Sequence, residues 1–349
     1  MPAMVSIIIV SFNSVKYVPA CLDSLHCQEY EPFEVIVYDN ASTDGTQALI
    51  REHYPEVQLI EGKSNIGFAA ANNCAADLAK GELLAFLNPD TIVAPNWLLP
   101  LIDALESDQT VGAVTPELVL TEAPDTVNAC GNEVHLSGIT YCRRFGMPTS
   151  EETPIEVGAV SGAAFVLRRE LFEQLGGFEP SFFLFFEDTD LSLRLRCLGF
   201  RCLAVPASRV RHDHKPAFTH DKIFYLERNR YLSLLSLMNS WTFVAMLPSL
   251  LLMELAVGGY CIMRGRRTLG AKARAWQDVA RRLSWVQERR QQYANKCISH
   301  AFLLQAFSPR LRIHYLDTNS NLLLRGLEFA GWITAVPTLS AVRFFNRHE

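Results

Sequence analysis

Val5-Ser6-Ile7-Ile8-Ile9-Val10 is a short, nearly continuous apolar run rich in β-branched residues, and it ends in the polar stretch Ser11-Phe12-Asn13-Ser14. Such a run reads as a strand covered on both faces, as in parallel sheets. The pattern then alternates. Residues 14–27 carry Val15, Val18, Cys21, Leu22 and Leu25 at helical spacing. Residues 33–38 read as a strand, 46–53 as a helix, 57–60 as a strand and 68–78 as an alanine-rich helix. Residues 83–87 continue as a strand, 97–105 as a helix and 111–115 as a strand. This order predicts an α/β fold: a Rossmann-like, mostly parallel sheet with flanking helices and right-handed crossovers. Sheets of that kind bind ligands at the carboxyl ends of their strands.

Residues 117–156 break into polar, Gly- and Pro-marked pieces and read as loops and irregular hairpins. A strand over 158–167, a helix over 189–197 and a strand over 201–205 follow, and long apolar helices begin after His220. We therefore expect a catalytic domain over 1–225 and a C-terminal helical region over 226–349. With 49% hydrophobic and 20% charged residues the chain is globular. Its 32 basic against 37 acidic side chains offer no general attraction to nucleic acid. The nine cysteines form no CxxC pair and read as reduced, mostly buried thiols of a cytoplasmic protein. The first ten residues have no basic region, and their apolar run is too short for a signal peptide.

Chemistry concentrates where strands end. Ser11 and Asn13 close the first strand, and Asp39 closes the second, within Asp39-Asn40-Ala41-Ser42-Thr43-Asp44-Gly45. A carboxylate there suits the N–H of a pyrimidine base or a ribose hydroxyl; capping of the next helix is the competing role. Ser42, Thr43 and Asp44 suit turn and capping roles. No GxGxxG or GxxxxGK[ST] loop is present, so dinucleotide oxidoreductases and P-loop enzymes lose their phosphate cradle. Asn65 opens the helix after the third strand, as a cap or as a ligand contact. Asn88-Pro89-Asp90 follows the fourth strand, where Asp90 suits a divalent ion bridging two phosphates. Glu187-Asp188-Thr189-Asp190 places three carboxylates in four residues beside an aromatic run. Repulsion and burial raise carboxylate pKa values, which suits a general base. Asp188 is our candidate, Glu187 its competitor, and helix-dipole stabilisation alone accounts for Asp190. His212 and His214 suit a metal, a diphosphate or a structural role. Arg228 suits either a phosphate or an ordinary basic surface.

These pieces resemble glycosyltransferase family 2, of the GT-A fold class, and within it the rhamnosyltransferase-like enzymes of bacterial surface polysaccharide synthesis. The likeness lies in Val5–Asn13, Asp39–Gly45, Asn65–Phe68, Phe86–Asp90, Gly162–Val166 and Phe185–Leu191, in that order across residues 4–235. It implies an inverting transfer from a nucleotide-diphosphate sugar, rhamnose on dTDP above all, to a saccharide or lipid-linked saccharide. Galactofuranose, glucose and N-acetylglucosamine are the alternative sugars. Asp39 is then expected at the base, Asp90 at Mg²⁺ or Mn²⁺, Asp188 at the acceptor hydroxyl and His212 at the metal. The chain departs from the family in carrying Asn88 where Asp-x-Asp motifs begin, and in Asp213-His214-Lys215-Pro216 after His212. A nucleotidyltransferase is expected to place a basic loop after the first strand, where this chain has Ser11-Phe12-Asn13. A non-catalytic, transferase-like interaction protein is the further alternative, against which Asp39, Asp90 and Asp188 together argue.

The tail adds a location. Residues 231–253 carry no charge, and residues 264–290 carry nine basic side chains against Asp278 and Glu288. This bias suits peripheral contact with the anionic inner face of a cell membrane, with Trp241, Trp276, Trp285 and Trp332 available to the interface. A single span or packing between copies in a homo-oligomer are the competing readings.

Overall fold

The computed structural model describes residues 2–149, 153–213, 219–294, 296–298, 300–312 and 321–345. His214, Lys215 and Pro216 lie outside the described residues. The chain divides into two compact units: Met1–Asn132, Cys142–Ser192 and Phe200–Lys215 in one, Glu133–Tyr141, Leu193–Gly199 and Pro216–Glu349 in the other.

The first unit runs β1 (Val5–Ser11), α1 (Val18–His26), β2 (Phe33–Asp39), α2 (Thr46–His53), β3 (Gln58–Glu61), α3 (Phe68–Ala76) and β4 (Leu83–Leu87). It continues through β5 (Thr91–Val93), α4 (Leu98–Ser107), β6 (Val111–Leu120) and β7 (Ala123–Cys130), and through β8 (Asn132–His135) and β9 (Thr140–Cys142) at its border with the second unit. β10 (Ile155–Val157), β11 (Ala164–Arg168), α5 (Arg169–Leu175), the start of α6 (Glu187–Cys197) as far as Ser192, and β12 (Arg201–His212) complete it. A ten-stranded sheet has the order β10-β12-β6-β11-β4-β1-β2-β3, with β5 on β12 and β7 on β6.

β1 and β4 are buried at every residue, as their uninterrupted apolar runs require. β1 pairs in parallel with β2, Ser11 opposite Asp39, and with β4, Ile9 opposite Leu87. β3 extends the parallel half. Beyond β4 the sheet is mixed, because β11 runs antiparallel to both β4 and β6.

Several boundaries differ from the sequence reading. The 117–156 stretch is largely strand: β6 continues to Leu120 and folds back on β7, with Val119, Val127 and Ala129 buried. Pro116 hid this, and it sits opposite Val205 where the β6–β12 ladder shifts register before Arg209. A bulge tolerates the missing N–H that a regular ladder does not. β12 is correspondingly a strand of twelve residues that runs well past the end expected at Val205. α1 starts at Val18 because Pro19 belongs in a helix's first turn. Residues 158–163 stay out of β11 and turn their backbone toward α6. Cys21, Cys130, Cys197, Cys202 and Cys261 are buried, whereas Cys27 and Cys74 are exposed.

The second unit holds α7 (His220–Leu237), α8 (Ser240–Met263), α9 (Arg266–Arg281), α10 (Leu283–Ala294), α11 (His300–Gln305), the two-residue β13 (Phe307–Ser308) and α12 (Asn321–Phe345). The uncharged stretch 231–253 is not one helix. α7 stops at Leu237, and Asn239 caps α8 by accepting from the Thr242 amide at 2.7 Å. Of the nine basic residues in 264–290, Lys272 and Arg289 are buried, so they do not belong to a basic surface.

The first unit's core centres on Phe86, whose ring meets Phe165 at 5.0 Å, Phe172 at 5.1 Å and Phe178 at 5.0 Å. Phe86→Ala is expected to destabilise the fold by about 3–5 kcal/mol in urea unfolding. Leu99→Ala, at a position 46% exposed, is expected to stay within about 0.5 kcal/mol of wild type.

Candidate functional site

Because β1, β2 and β4 are in register, Ser11, Asp39 and Asn88 come out at one edge of the sheet. Asp39 is fully buried, and its carboxylate is saturated by protein donors. Oδ2 accepts from Ser11 Oγ at 2.8 Å and Ser42 Oγ at 2.5 Å; Oδ1 accepts from the Ser42 amide at 2.8 Å and Gln47 Nε2 at 2.6 Å. Four donors fill the four acceptor positions of a carboxylate, so Asp39 organises the β2–α2 turn. Nearby, Asn13 is in the left-handed region at φ 51, and its Oδ1 accepts from the Thr43 amide at 2.9 Å. Asp44 accepts from the Val15 amide at 3.0 Å and the Thr46 amide at 3.1 Å. The residues read as turn formers therefore stitch the β1 loop to the β2 loop.

Asn65 is exposed and accepts from the Gly67 amide at 2.9 Å, while the buried Asn40 accepts from the Ile66 amide and donates to the Gly67 carbonyl. Gly67 lies at φ +88, and a Cβ there falls 2.5 Å from the Phe183 ring and 2.6 Å from its carbonyl. That carbonyl accepts from the Phe68 amide at 2.6 Å, at the start of α3. Phe183, Phe185 and Phe186 themselves have φ of 63, 65 and 74. Left-handed bulky residues are uncommon and concentrate at functional sites. The strained aromatic run delivers the chain directly into Glu187.

At the first turn of α6 two carboxyl groups sit in different surroundings. Asp188 accepts from the Gly162 amide at 2.8 Å and from the Thr189 amide at 2.6 Å, with Asn132 Nδ2 at 3.4 Å. A Cβ on Gly162 falls 3.1 Å from Asp188 Oδ2, so a glycine permits this approach. Glu187 is buried, and its Oε2 has no hydrogen-bond partner. Burial, and then the Asp188 charge, push Glu187 up to about 8, so it holds a proton at neutral pH. Burial raises Asp188 as well, but its amide hydrogen bonds favour the ionised form. A carboxylate whose ionised form is favoured by amide donors can accept a proton from a hydroxyl.

Past β4, the Asn88 amide donates to the Ala163 carbonyl at 2.9 Å, and Asn88 Oδ1 is buried without a hydrogen-bond partner. Asp90 lies 3.6 Å from His212 Nε2, and the Asp213 amide donates to the Asp90 carbonyl at 3.0 Å. Burial lowers the His212 pKa to about 4, keeping the ring neutral. Its Nδ1 lies 2.9 Å from Asn128 Oδ1, leaving Nε2 toward Asp90. A neutral imidazole oriented through its other nitrogen, beside a carboxylate, fits a divalent ion completed by substrate oxygens and water. No group of three or more His, Cys, Asp or Glu arranged for a metal occurs among the described residues, so the protein supplies only part of such a shell.

The strand-end group thus gathers Ser11, Asn13, Asp39, Asn65, Asn88, Asp90, Glu187, Asp188 and His212 in one unit. Arg228 belongs to the other, where it lies 3.6 Å from Asp278 and 5.1 Å from the centres of the Phe224 and Tyr225 rings. Sequence reasoning missed Gln47, Asn128 and Asn132. All three act on a site residue from a distance in sequence, and no local motif marks them.

Comparison with known proteins agrees with this geometry. Residues 6–176 match glycosyl transferase family 2. Over 234 residues the chain is 32% identical to the O-antigen biosynthesis protein RfbC of Myxococcus xanthus, covering 63% of this chain and 18% of that protein's length. It is 26% identical over 267 residues to N-acetylglucosaminyl-diphospho-decaprenol L-rhamnosyltransferase of Mycobacterium tuberculosis, covering 69% of this chain and 87% of that one. Among solved structures, GalNAc-T7 with UDP, GalNAc and Mn²⁺ superposes with a TM-score of 0.58 at 19% identity, over 71% of this chain and 50% of that one. The fold and the family match together make this chain a glycosyltransferase, similar over residues 6–176 to family 2 and carrying a GT-A-like fold.

Proposed function

We propose that the chain transfers rhamnose from dTDP-rhamnose to a saccharide or lipid-linked saccharide, inverting the anomeric carbon in a single displacement. The observation that carries it is the α6 pair, an ionisable Asp188 held by the Gly162 amide beside a neutral Glu187. The choice of rhamnose is supported by the Mycobacterium tuberculosis relative, which the chain matches over 87% of its length.

In this reading Asp188 takes the acceptor hydroxyl's proton as the oxygen attacks the anomeric carbon, and the nucleoside diphosphate departs on the opposite face. Ser11, Asn13, Asp39, Asn65 and Asn88 line the donor's side, with Asp39 meeting the base in place of its Gln47 or Ser42 donor. Asp90 and His212 would hold Mg²⁺ or Mn²⁺. Bound there, the ion offsets negative charge on the departing diphosphate. Arg228 is proposed as a phosphate contact only with its Asp278 partner exchanged. Membrane contact at the inner face of the cell membrane follows from a lipid-linked acceptor and from the long apolar α8.

Three measurements test this. Incubated with a panel of sugar nucleotides and a lipid-linked saccharide, the protein is expected to transfer rhamnose, and Asp188→Asn to lose transfer by about 10²-fold or more while still binding donor. Equal loss of donor binding in that variant counts against the base assignment, and transfer from another donor alone against rhamnose. Titration of donor with and without Mn²⁺ is expected to show a metal-dependent gain in affinity that Asp90→Ala abolishes. The third concerns pH. The Glu187 pKa, about 8 when folded, lies above its ordinary 4.5, so the folded state keeps a proton that the unfolded chain releases. That contribution is complete below pH 4.5 and is lost as pH rises toward 8. Glu187→Gln is expected to flatten the fall of Tm across this window, and an unchanged slope refutes the buried neutral acid.

A further inference from the structure

α8 is long and largely apolar, yet it is not a core helix: only 28% of an apolar 18-residue window of it is buried. Trp241 is 84% exposed, Leu251 62%, Leu255 77% and Ile262 66%, and helical spacing sets them on one stripe. The opposite side packs within the unit. There the single charge of α8, Glu254, turns inward to Arg230 at 3.0 Å, Lys272 at 2.8 Å and Tyr231 Oη at 2.7 Å. α12 runs antiparallel beside α8, joined by Ser249 Oγ to Thr334 Oγ1 at 3.0 Å and by Thr338 Oγ1 to the Ala245 carbonyl at 3.1 Å. It adds Phe329, 62% exposed, and Trp332, 45% exposed. Contiguous exposed apolar surface of this kind marks an interaction face.

Taking the lipid-linked acceptor proposed above as the starting point, we infer that the α8–α12 face seats this unit in the plane of an anionic bilayer, with Arg264, Arg266 and Arg267 on lipid phosphates. Charge selects the occupant. All three arginines are exposed and follow directly on the end of the stripe. Between residues 240 and 287 the only acidic residues are Glu254 and Asp278. Glu254 faces inward, and Asp278 is bound to Arg282 at 2.9 Å and lies 3.6 Å from Arg228. On α8 and α9 a second copy brings the same cations and no outward carboxylate to meet them, whereas an anionic leaflet supplies the counter-charge. Tryptophan at the ends of an apolar face suits the headgroup boundary. The helix lies on the bilayer and does not cross it, because its inner side is tied to Arg230, Lys272 and Trp276.

The test is flotation of the full chain with vesicles of phosphatidylcholine alone or mixed with phosphatidylglycerol, at low and high salt. Wild type is expected to float with the mixed vesicles at low salt. Leu251→Glu/Leu255→Glu is expected to lose flotation, and Arg266→Glu/Arg267→Glu to lose roughly tenfold in partitioning to anionic vesicles. The arginine variants change only exposed positions at a helix start, so they report even if the leucine pair compromises folding. Failure of wild type to float, or flotation of both double variants at the wild-type level, overturns the inference. So does a wild-type dimer in solution that the leucine pair dissociates without any vesicle binding. Transfer to a water-soluble acceptor, measured without vesicles, reads the proposed reaction separately. Lost flotation with intact transfer strikes the membrane face, and the reverse strikes the reaction.

Discussion

The parallel pairing of β1 between β2 and β4 is the constraint from which the site follows. Side chains alternate along a strand, so a slip of one residue turns each inward side chain outward. With both faces of β1 and β4 buried, such a slip is strongly opposed, and the strands end together at Ser11, Asp39 and Leu87. The polar residues that follow then meet one another across loops well separated in sequence. Ser11 to Asp39 and Asn13 to Thr43 are contacts that this register makes available. The antiparallel β11 continues the logic, because its pairing with β4 brings the Ala163 carbonyl to the Asn88 amide and the Gly162 amide to Asp188.

Carboxylates at that edge cannot all be treated alike. Asp39 is buried with four protein donors in place of water. Glu187 is buried with an oxygen that no donor reaches, and it resolves the conflict by keeping its proton. Asp188 stands between, bonded to two amides and less enclosed. Two neighbouring acids are thus held in different surroundings, one enclosed without a donor and one bonded to amides. The left-handed Phe183, Phe185 and Phe186 are what turn the chain tightly enough to place both at the start of α6. The Phe183 carbonyl is in turn fixed by the amides that open α3.

Much of this was legible because buried parallel strands write themselves as apolar runs and amphipathic helices as a 3.6-residue period. Asp39, Asp90 and Asp188 stood out for the same reason: a charge immediately after an apolar run is conspicuous. The 117–156 stretch was illegible because Pro116 and a register shift interrupt the alternation that marks a strand. Backbone sign is not written in a phenylalanine, so the strained run read only as apolar. Asn128 and Asn132 act on His212 and Asp188 through tertiary contacts, and no spacing rule reports those. The uncharged run 231–253 looked continuous because hydropathy averages over Asn239, which is the residue that starts a new helix.

The second unit shows the complementary use of charge. Glu227 and Glu254 face Arg230 and Lys272 in a cluster whose formal charges cancel, with Arg230 also donating to the Ser137 carbonyl at 2.8 Å. Removing one member leaves a buried charge uncompensated, which is far more destabilising than the intact cluster is stabilising. The consequence is rotational. Any turn of α8 about its axis that presents Trp241, Leu251 and Leu255 inward carries Glu254 away from both cations. The polar cluster inside the unit therefore determines which side of α8 is left apolar and outward, and it does so without any residue on the exposed stripe having to specify it.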